Sequence, residues 1–312
     1  MKEAVIISTA RTPIAKAYRG AYNNTHGATL AGHAIKKAVE VSGVSPEKVE
    51  DCVLGCAMPE GTTGHNIARI AAIRAGLPVT TAGSTINRFC SSGMQAITMA
   101  AQRVMTNEVT CVVAGGVESI SLVQNEHQNS FKDKNDWIKS NKPELYFSMI
   151  ETAEVVSKRY NISREKQDEY GFQSQKRMAY AQEKGLLDKE IFPLETTKLV
   201  KDKSSGSISE EKVFLSKDEG NRPETTIDGL GKLEPVMGPE SFITAGNASQ
   251  LSDGASACVV MDSKEAEKSN LDPLGIFRGM AVSGLEPDEM GIGPIYAIPK
   301  LLEKTNLKIE EK

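Results

Sequence analysis

The chain has 312 residues, 39% of them hydrophobic before its 26 glycines are counted, and a formal net charge of −4 at pH 7. That length suggests about two domains with a sizeable core, the acidic balance supplies no basic field for nucleic acid, and no apolar run approaches the roughly 20 residues of a membrane helix. Five cysteines, an odd number, argue for a reducing compartment such as the cytoplasm and against a disulfide framework.

Residues 3–8, Glu3-Ala4-Val5-Ile6-Ile7-Ser8, read as a strand, too short in its apolar run for a signal peptide. Leu30, Ala31, Ala34, Ile35 and Ala38 recur at helical spacing, and Gly43 stops that helix. Ser45-Pro46 is an N-cap followed by proline at the first helical position. Residues 52–57 read as a strand and 67–75 as a helix ended by Gly76. Cys52 and Cys56 point to one face of that strand but lie far apart along it, with no second Cys or His pair at zinc spacing. Together with Cys111 and Cys258 they read as core packing, and no metal is expected.

Cys90 differs from these. It sits in Asn87-Arg88-Phe89-Cys90-Ser91-Ser92-Gly93, between a short strand, Gly83-Ser84-Thr85-Ile86, and a run of helix formers from Met94 to Met105. In the first turn of a helix a cysteine meets the positive end of the macrodipole and unsatisfied N–H groups. Both favour the thiolate, which is the nucleophile. The competing reading from position alone is a small buried hydrophobe.

Val109 to Ala114 forms a nearly continuous apolar strand, as expected of a sheet covered on both faces. The first 120 residues thus alternate strand and helix, an α/β pattern. The character changes after Ser119. Residues 121–243 are polar, with helices expected over 152–160 and 163–184 and a charged, Ser-rich loop or hairpin over 198–220. The Lys-containing runs at 131–134 and 198–203 are broken by acids and read as solvated loops. An insertion of this length usually carries function. Core character returns with a buried strand at 255–261, and a further strand over 274–282 and a helix over 294–303 follow.

Six strings in order resemble the thiolase family along nearly the whole chain. They are Ala10-Arg11-Thr12-Pro13, Asn87 to Gly93, Ala114-Gly115-Gly116-Val117-Glu118-Ser119, Arg164-Glu165-Lys166-Gln167-Asp168, Thr244-Ala245-Gly246-Asn247-Ala248-Ser249 running on to Asp253-Gly254-Ala255, and Met290-Gly291-Ile292-Gly293-Pro294. The resemblance implies a layered αβα thiolase-like fold. Residues 1–120 plus 246–270 would form the N-terminal half, 121–245 a loop-domain insertion, and 271–312 a C-terminal half only begun. It also implies the activity of an acetyl-CoA C-acyltransferase or acetyltransferase in fatty-acid metabolism. Cys90 would carry the acyl group between a 3-ketoacyl-CoA and a second coenzyme A, with no further cofactor. A thiolate suits this work because it is both a strong nucleophile and a good leaving group.

Other roles follow by the same resemblance. Ser249 matches a contact to the pantetheine arm of coenzyme A, Arg222 falls near the nucleotide, and Met149 lines the acyl pocket. Read without the family, these are a turn serine, a solvated charge and core packing. Ile150-Glu151 depart from the family's pattern of a Gly and a neutral residue, which would narrow the pocket mouth. The Cys-Ser-Ser-Gly form resembles the degradative 3-ketoacyl-CoA thiolases more than the acetoacetyl-CoA-specific biosynthetic ones. Family members pair as homodimers or tetramers through the strand near 83–89, and the same is expected here.

The family's Gly-His-Pro, Cys-x-Gly and Asn-Glu-Ala-Phe motifs do not occur in these 312 residues. His26 and His33 belong to the first loop and helix, His127 to the insertion, and His65 reads as a polar residue at a helix start. The expectation is a thiolase lacking its last part, with little or no turnover alone and apolar surface exposed around the Cys90 helix unless 271–312 folds back. A non-catalytic thiolase-like protein that binds coenzyme A or a partner is the alternative of another class. A ketosynthase-type condensing enzyme is disfavoured by the long insertion and the 247–253 segment.

Overall fold

The computed structural model describes residues 2–311. In chain order the elements are β1 (Ala4–Arg11), β2 (Ala15–Lys16), α1 (Gly27–Ser42), β3 (Asp51–Gly55), α2 (Ile67–Arg74), β4 (Ala82–Ile86), α3 (Ser92–Met105), β5 (Cys111–Ser119), α4 (Ile120–Val123), α5 (Asp136–Asn141), α6 (Met149–Arg159), α7 (Arg164–Glu183), β6 (Leu194–Lys201), β7 (Ile208–Leu215), α8 (Ile227–Gly231), β8 (Ser252–Asp262), α9 (Ser263–Lys268), β9 (Gly275–Ile276) and α10 (Gly293–Thr305). They fall into two units. The first holds the described residues up to Gln128, Leu187–Gly220 and Gln250–Phe277; the second holds Asn129–Leu186, Asn221–Ser249 and the described residues from Arg278.

The first unit is built on a mixed sheet ordered β4-β3-β5-β8-β1-β9, with β2 beside β8. β3 runs parallel to β4 and β5, whereas β8 runs antiparallel to β5 and β1. Alternation along the strands divides the buried residues between two cores. Cys52, Leu54, Val113, Val259 and Met261 face α1 and α2, which supply Leu30, Ala34, Ile35, Ile67 and Ala71. Val53, Val112, Ala114, Cys258 and Val260 face α3, which supplies Ala96, Ala100, Ala101 and Val104. The layers are therefore helix, sheet and helix. Each fully buried Val, Leu or Ile contributes roughly 1.5–3 kcal/mol.

Most boundaries follow local chemistry. α1 ends at Gly43, whose φ of 70° is left-handed. Ser45 sits at the N-cap before a 3-10 turn at Pro46–Lys48 but makes no backbone cap; its hydroxyl donates to the Glu47 carboxylate instead. The charged segment expected as loop or hairpin is a hairpin, β6 paired antiparallel with β7. The strand expected over 274–282 is only β9, paired with Val5 and Ile6 of β1. Because that pairing is antiparallel, residues after 277 would run past Ala4, where β1 begins, and find no strand to pair with.

In the second unit α6 begins with a reciprocal capping box. The Ser148 N–H donates to Glu151 Oε2 at 2.6 Å, and the Glu151 N–H to Ser148 Oγ at 3.3 Å. The chain after Arg278 is tied to α6 by Arg159, which meets Asp288 and Glu289, each at 2.7 Å, and to the end of α5 by Lys142, which meets Glu286. Among the described residues, no helix is long and apolar enough to cross a membrane.

Candidate active site

Of the five cysteines, Cys90 alone is exposed. Burial pushes the Cys56 thiol up to about 11 and the Cys111 and Cys258 thiols up to about 12, and it raises Cys52 further. Those four remain protonated and enclosed, so thiol chemistry at the surface belongs to Cys90.

The turn that presents Cys90 is more tightly made than a plain helix start. After β4 the chain forms a 3-10 turn, Phe89–Ser91, and α3 begins only at Ser92. Cys90 therefore stands just before the first α-helical turn, not within it. Phe89 takes φ +45°, a left-handed conformation costly for a bulky residue. Hydrogen bonds hold it there. The Phe89 N–H donates to Asn87 Oδ1 at 2.8 Å, the Arg88 N–H to Ser92 Oγ at 2.8 Å, and the Ser92 hydroxyl to the Phe89 carbonyl at 2.6 Å. The Ser91 N–H donates to the Arg88 carbonyl at 3.1 Å. The Cys90 N–H has no such partner among the described residues, so it is free to donate outward at the start of a helix.

Glycines set the turn directly on the sheet. A Cβ at Gly55 of β3 would lie 2.2 Å from the Ser92 carbonyl carbon and 2.4 Å from the Gly93 nitrogen. A Cβ at Gly116 of β5 would lie 3.1 Å from the Gly55 carbonyl oxygen and 3.6 Å from Gly93 Cα. The close approach of backbone to backbone explains why glycine occupies these positions.

Sequence reasoning missed the residues that brace this turn from below. Asn87 Nδ2 donates to the Ala57 carbonyl at 2.9 Å, and the Ala57 N–H donates to the Glu118 carboxylate. Burial raises the Glu118 carboxyl above the usual carboxylate range, against the opposing pull of the hydrogen bond from Ala57. The only sequence signal was that Asn87 and Glu118 each fall within one of the six strings.

The remaining expected site residues, Met149, Arg222 and Ser249, all lie in the second unit, whereas Cys90 lies in the first. Met149 is exposed at the first position of α6. The departure at Glu151 is accounted for by the capping box, and Ile150 beside it is helical. Arg222 is exposed; its N–H donates to Gln175 Oε1 at 2.7 Å, which fixes the backbone and leaves the guanidinium outward. Ser249 is exposed and follows a braced loop. Asn247 Oδ1 accepts from the Thr244 N–H at 2.8 Å, and Asn247 Nδ2 donates to buried Asp168 at 2.9 Å. Asp168 in turn pairs with Arg164 at 2.7 Å. Two strings distant in sequence, 164–168 and 244–249, are thus one hydrogen-bonded unit.

The histidines take structural places. His26 Nδ1 accepts the Ala28 N–H at the start of α1, and His33 Nε2 lies 3.2 Å from the Phe192 carbonyl. His127 is exposed beside Glu126. His65 is exposed with a left-handed φ of 53°, and the cap of α2 is its neighbour Asn66.

The sequence model of the family described as "Thiolase, N-terminal domain" matches residues 4–264. The 3-ketoacyl-CoA thiolase of Bacillus subtilis (strain 168) is 40% identical over 311 residues, covering 100% of this chain and 79% of that protein. The peroxisomal 3-ketoacyl-CoA thiolase A of Mus musculus is 37% identical over 310 residues, covering 99% and 71%. The crystal structure of Bacillus anthracis acetyl-CoA acetyltransferase superposes with a TM-score of 0.84 at 36% identity, covering 99% of this chain and 78% of that one. That of human mitochondrial 3-ketoacyl-CoA thiolase in complex with CoA gives 0.84 at 32% identity, covering 99% and 77%.

Proposed function

The chain belongs to the thiolase family of acyltransferases, and on that premise we propose that Cys90 is its acyl-accepting nucleophile, acting on 3-ketoacyl-CoA thioesters. The observation that carries this reading is the presentation of Cys90: one exposed thiol among five, on a braced turn at a helix start, beside an N–H with no internal partner.

In the first half-reaction the Cys90 thiolate attacks the 3-keto carbon of the substrate, and an alkoxide forms on its oxygen. The free Cys90 N–H is oriented as one donor to that charge. The C2–C3 bond then breaks, C2 takes a proton from water, acetyl-CoA leaves and the shortened acyl group stays on sulfur. In the second half-reaction the thiolate of another coenzyme A attacks the thioester carbonyl and the Cys90 sulfur departs. Coenzyme A is thus a substrate, and no further cofactor is invoked. By the family resemblance, Ser249 is assigned to the pantetheine arm, Arg222 to the neighbourhood of the nucleotide and Met149 to the acyl pocket. The Cys-Ser-Ser-Gly form favours the degradative substrate range.

The working form is a cytoplasmic homodimer or homotetramer. Support comes from β4, an edge strand of the sheet, and from Ile70, Ile73 and Val79 exposed in and after the neighbouring α2.

The test is intact-mass analysis after incubation with acetyl-CoA, acetoacetyl-CoA and a longer 3-ketoacyl-CoA. One acyl adduct mapped to Cys90, absent from Cys90→Ser, is the expected result. Binding of coenzyme A without any adduct would favour a non-catalytic CoA-binding protein instead.

A further inference from the structure

We propose that Glu118 is a positioning residue for the Cys90 turn, acting through the backbone of Ala57 and the side chain of Asn87. The proposal deepens the reading of Cys90 as acyl acceptor and rests on it.

Its basis is a continuous set of contacts. Glu118 lies two residues beyond Gly116, which pairs with Gly55 at the end of β3. From there its carboxylate reaches the chain leaving β3 and accepts from the Ala57 N–H. Ala57 is held at its carbonyl too, which accepts from Asn87 Nδ2 at 2.9 Å. Asn87 uses its other side-chain atom, Oδ1, to hold the Phe89 N–H at 2.8 Å, at the residue forced to φ +45°. Cys90 is next in the chain. Each link is a hydrogen bond, so a change at Glu118 reaches Phe89 through Ala57 and the side chain of Asn87.

The choice of residue is informative. Glu118 is half-buried, and among the described residues no Lys or Arg pairs with it. A carboxylate drawn partly out of water without a cation is costly to keep. A well-packed apolar residue at the end of β5 would serve the sheet at least as well. What the carboxylate uniquely provides is a charged acceptor oxygen on the Ala57 N–H. Ala57 is the residue whose carbonyl holds Asn87.

The experiment measures the second-order rate of Cys90 alkylation by iodoacetamide, followed by intact mass and peptide mapping, in the 312-residue protein and in Glu118→Ala, Glu118→Gln, Asn87→Ala and the Glu118→Ala/Asn87→Ala double variant. The four buried cysteines provide a folding control, since they stay unmodified only in the native state. Glu118→Ala and Asn87→Ala should each slow alkylation about tenfold, the scale of one lost charge-assisted hydrogen bond. The double variant should be no slower than the worse single, because both act on one path. Glu118→Gln should recover part of the loss, since its amide oxygen can still accept from Ala57. Wild-type rates in folded Glu118→Ala, or single losses that multiply in the double variant, would overturn the proposal. If Glu118→Ala exposes the buried thiols, the cycle is run with Glu118→Gln and exposed Asn87, and multiplying losses overturn the proposal in the same way. Failure of the unsubstituted protein to label at Cys90 would instead defeat the nucleophile reading.

Discussion

The Ser92 hydroxyl donates to the Phe89 carbonyl at 2.6 Å while accepting the Arg88 N–H at 2.8 Å, so one buried side chain closes the Cys90 turn from both directions. Ser92→Ala leaves both backbone groups short of a partner. The expected cost is about 1–3 kcal/mol, read as a lowered calorimetric midpoint, together with slower alkylation of Cys90. An unchanged midpoint and rate would show that the turn holds without this bond.

Gly55→Ala tests the seating of the turn on the sheet. The added Cβ would meet backbone atoms of Ser92 and Gly93 at 2.2 and 2.4 Å, and backbone cannot rotate aside. A loss of at least about 1–3 kcal/mol is expected, with reduced Cys90 reactivity. Gly231→Ala is the matched control, because nothing lies within 4 Å of its Cβ position and its φ is not left-handed. It should leave both readouts at the starting value.

Thiol counting separates the cysteines directly. A disulfide reagent such as dithionitrobenzoate should titrate one thiol quickly in the native protein, at Cys90, and all five in urea. Two or more fast thiols in the native protein would contradict the enclosure of Cys52, Cys56, Cys111 and Cys258.

Asp168→Ala removes the centre of the bracing beneath Ser249. Asp168 is 4% exposed and holds both Arg164 and Asn247. Its loss strands a partly buried guanidinium and frees the 244–249 loop, with an expected cost of about 3 kcal/mol, measured as a shift in the urea midpoint. Asn247→Ala should cost less, and the pair should be non-additive.

His33 makes stability depend on pH. Burial lowers its pKa below the ordinary 6.5, despite the hydrogen bond to the Phe192 carbonyl that opposes the shift. The unfolded chain therefore binds this proton more readily than the folded one. The contribution is fully present above pH 6.5 and is lost as pH falls through the lower folded value. The thermal midpoint should drop over that window, and His33→Gln should flatten the drop. A midpoint with the same slope in both proteins would remove His33 as the cause.

The sheet and its helices were readable because apolar spacing reports burial, and Cys52 to Leu54 or Val112 to Ala114 have no alternative to a covered strand. Cys90 was legible from its place between strand and helix and from the family strings around it. Its bracing was not. The contacts among Ala57, Asn87 and Glu118 join residues 30 or 61 positions apart, and no local pattern encodes such a pairing. The hairpin of β6 and β7 stayed ambiguous for a related reason. β7 is largely exposed and β6 only half-buried, so they carry little of the hydrophobic alternation that identifies a strand. Glu151 looked like a departure when compared with a family pattern, and local capping chemistry explains it.

The glycine seat gives the nucleophile an unusual mechanical status. With Gly55, Gly93 and Gly116 in backbone contact, no side-chain rotamer lies between the sheet and the turn to absorb a displacement. The height of Cys90 is then slaved to the pleat and twist of β3 and β5. Repacking deep in either core, at Val53 or Leu54 for instance, would be felt at the thiol as a rigid shift, and a laboratory tuning reactivity could work from the hydrophobic interior without touching the surface at all.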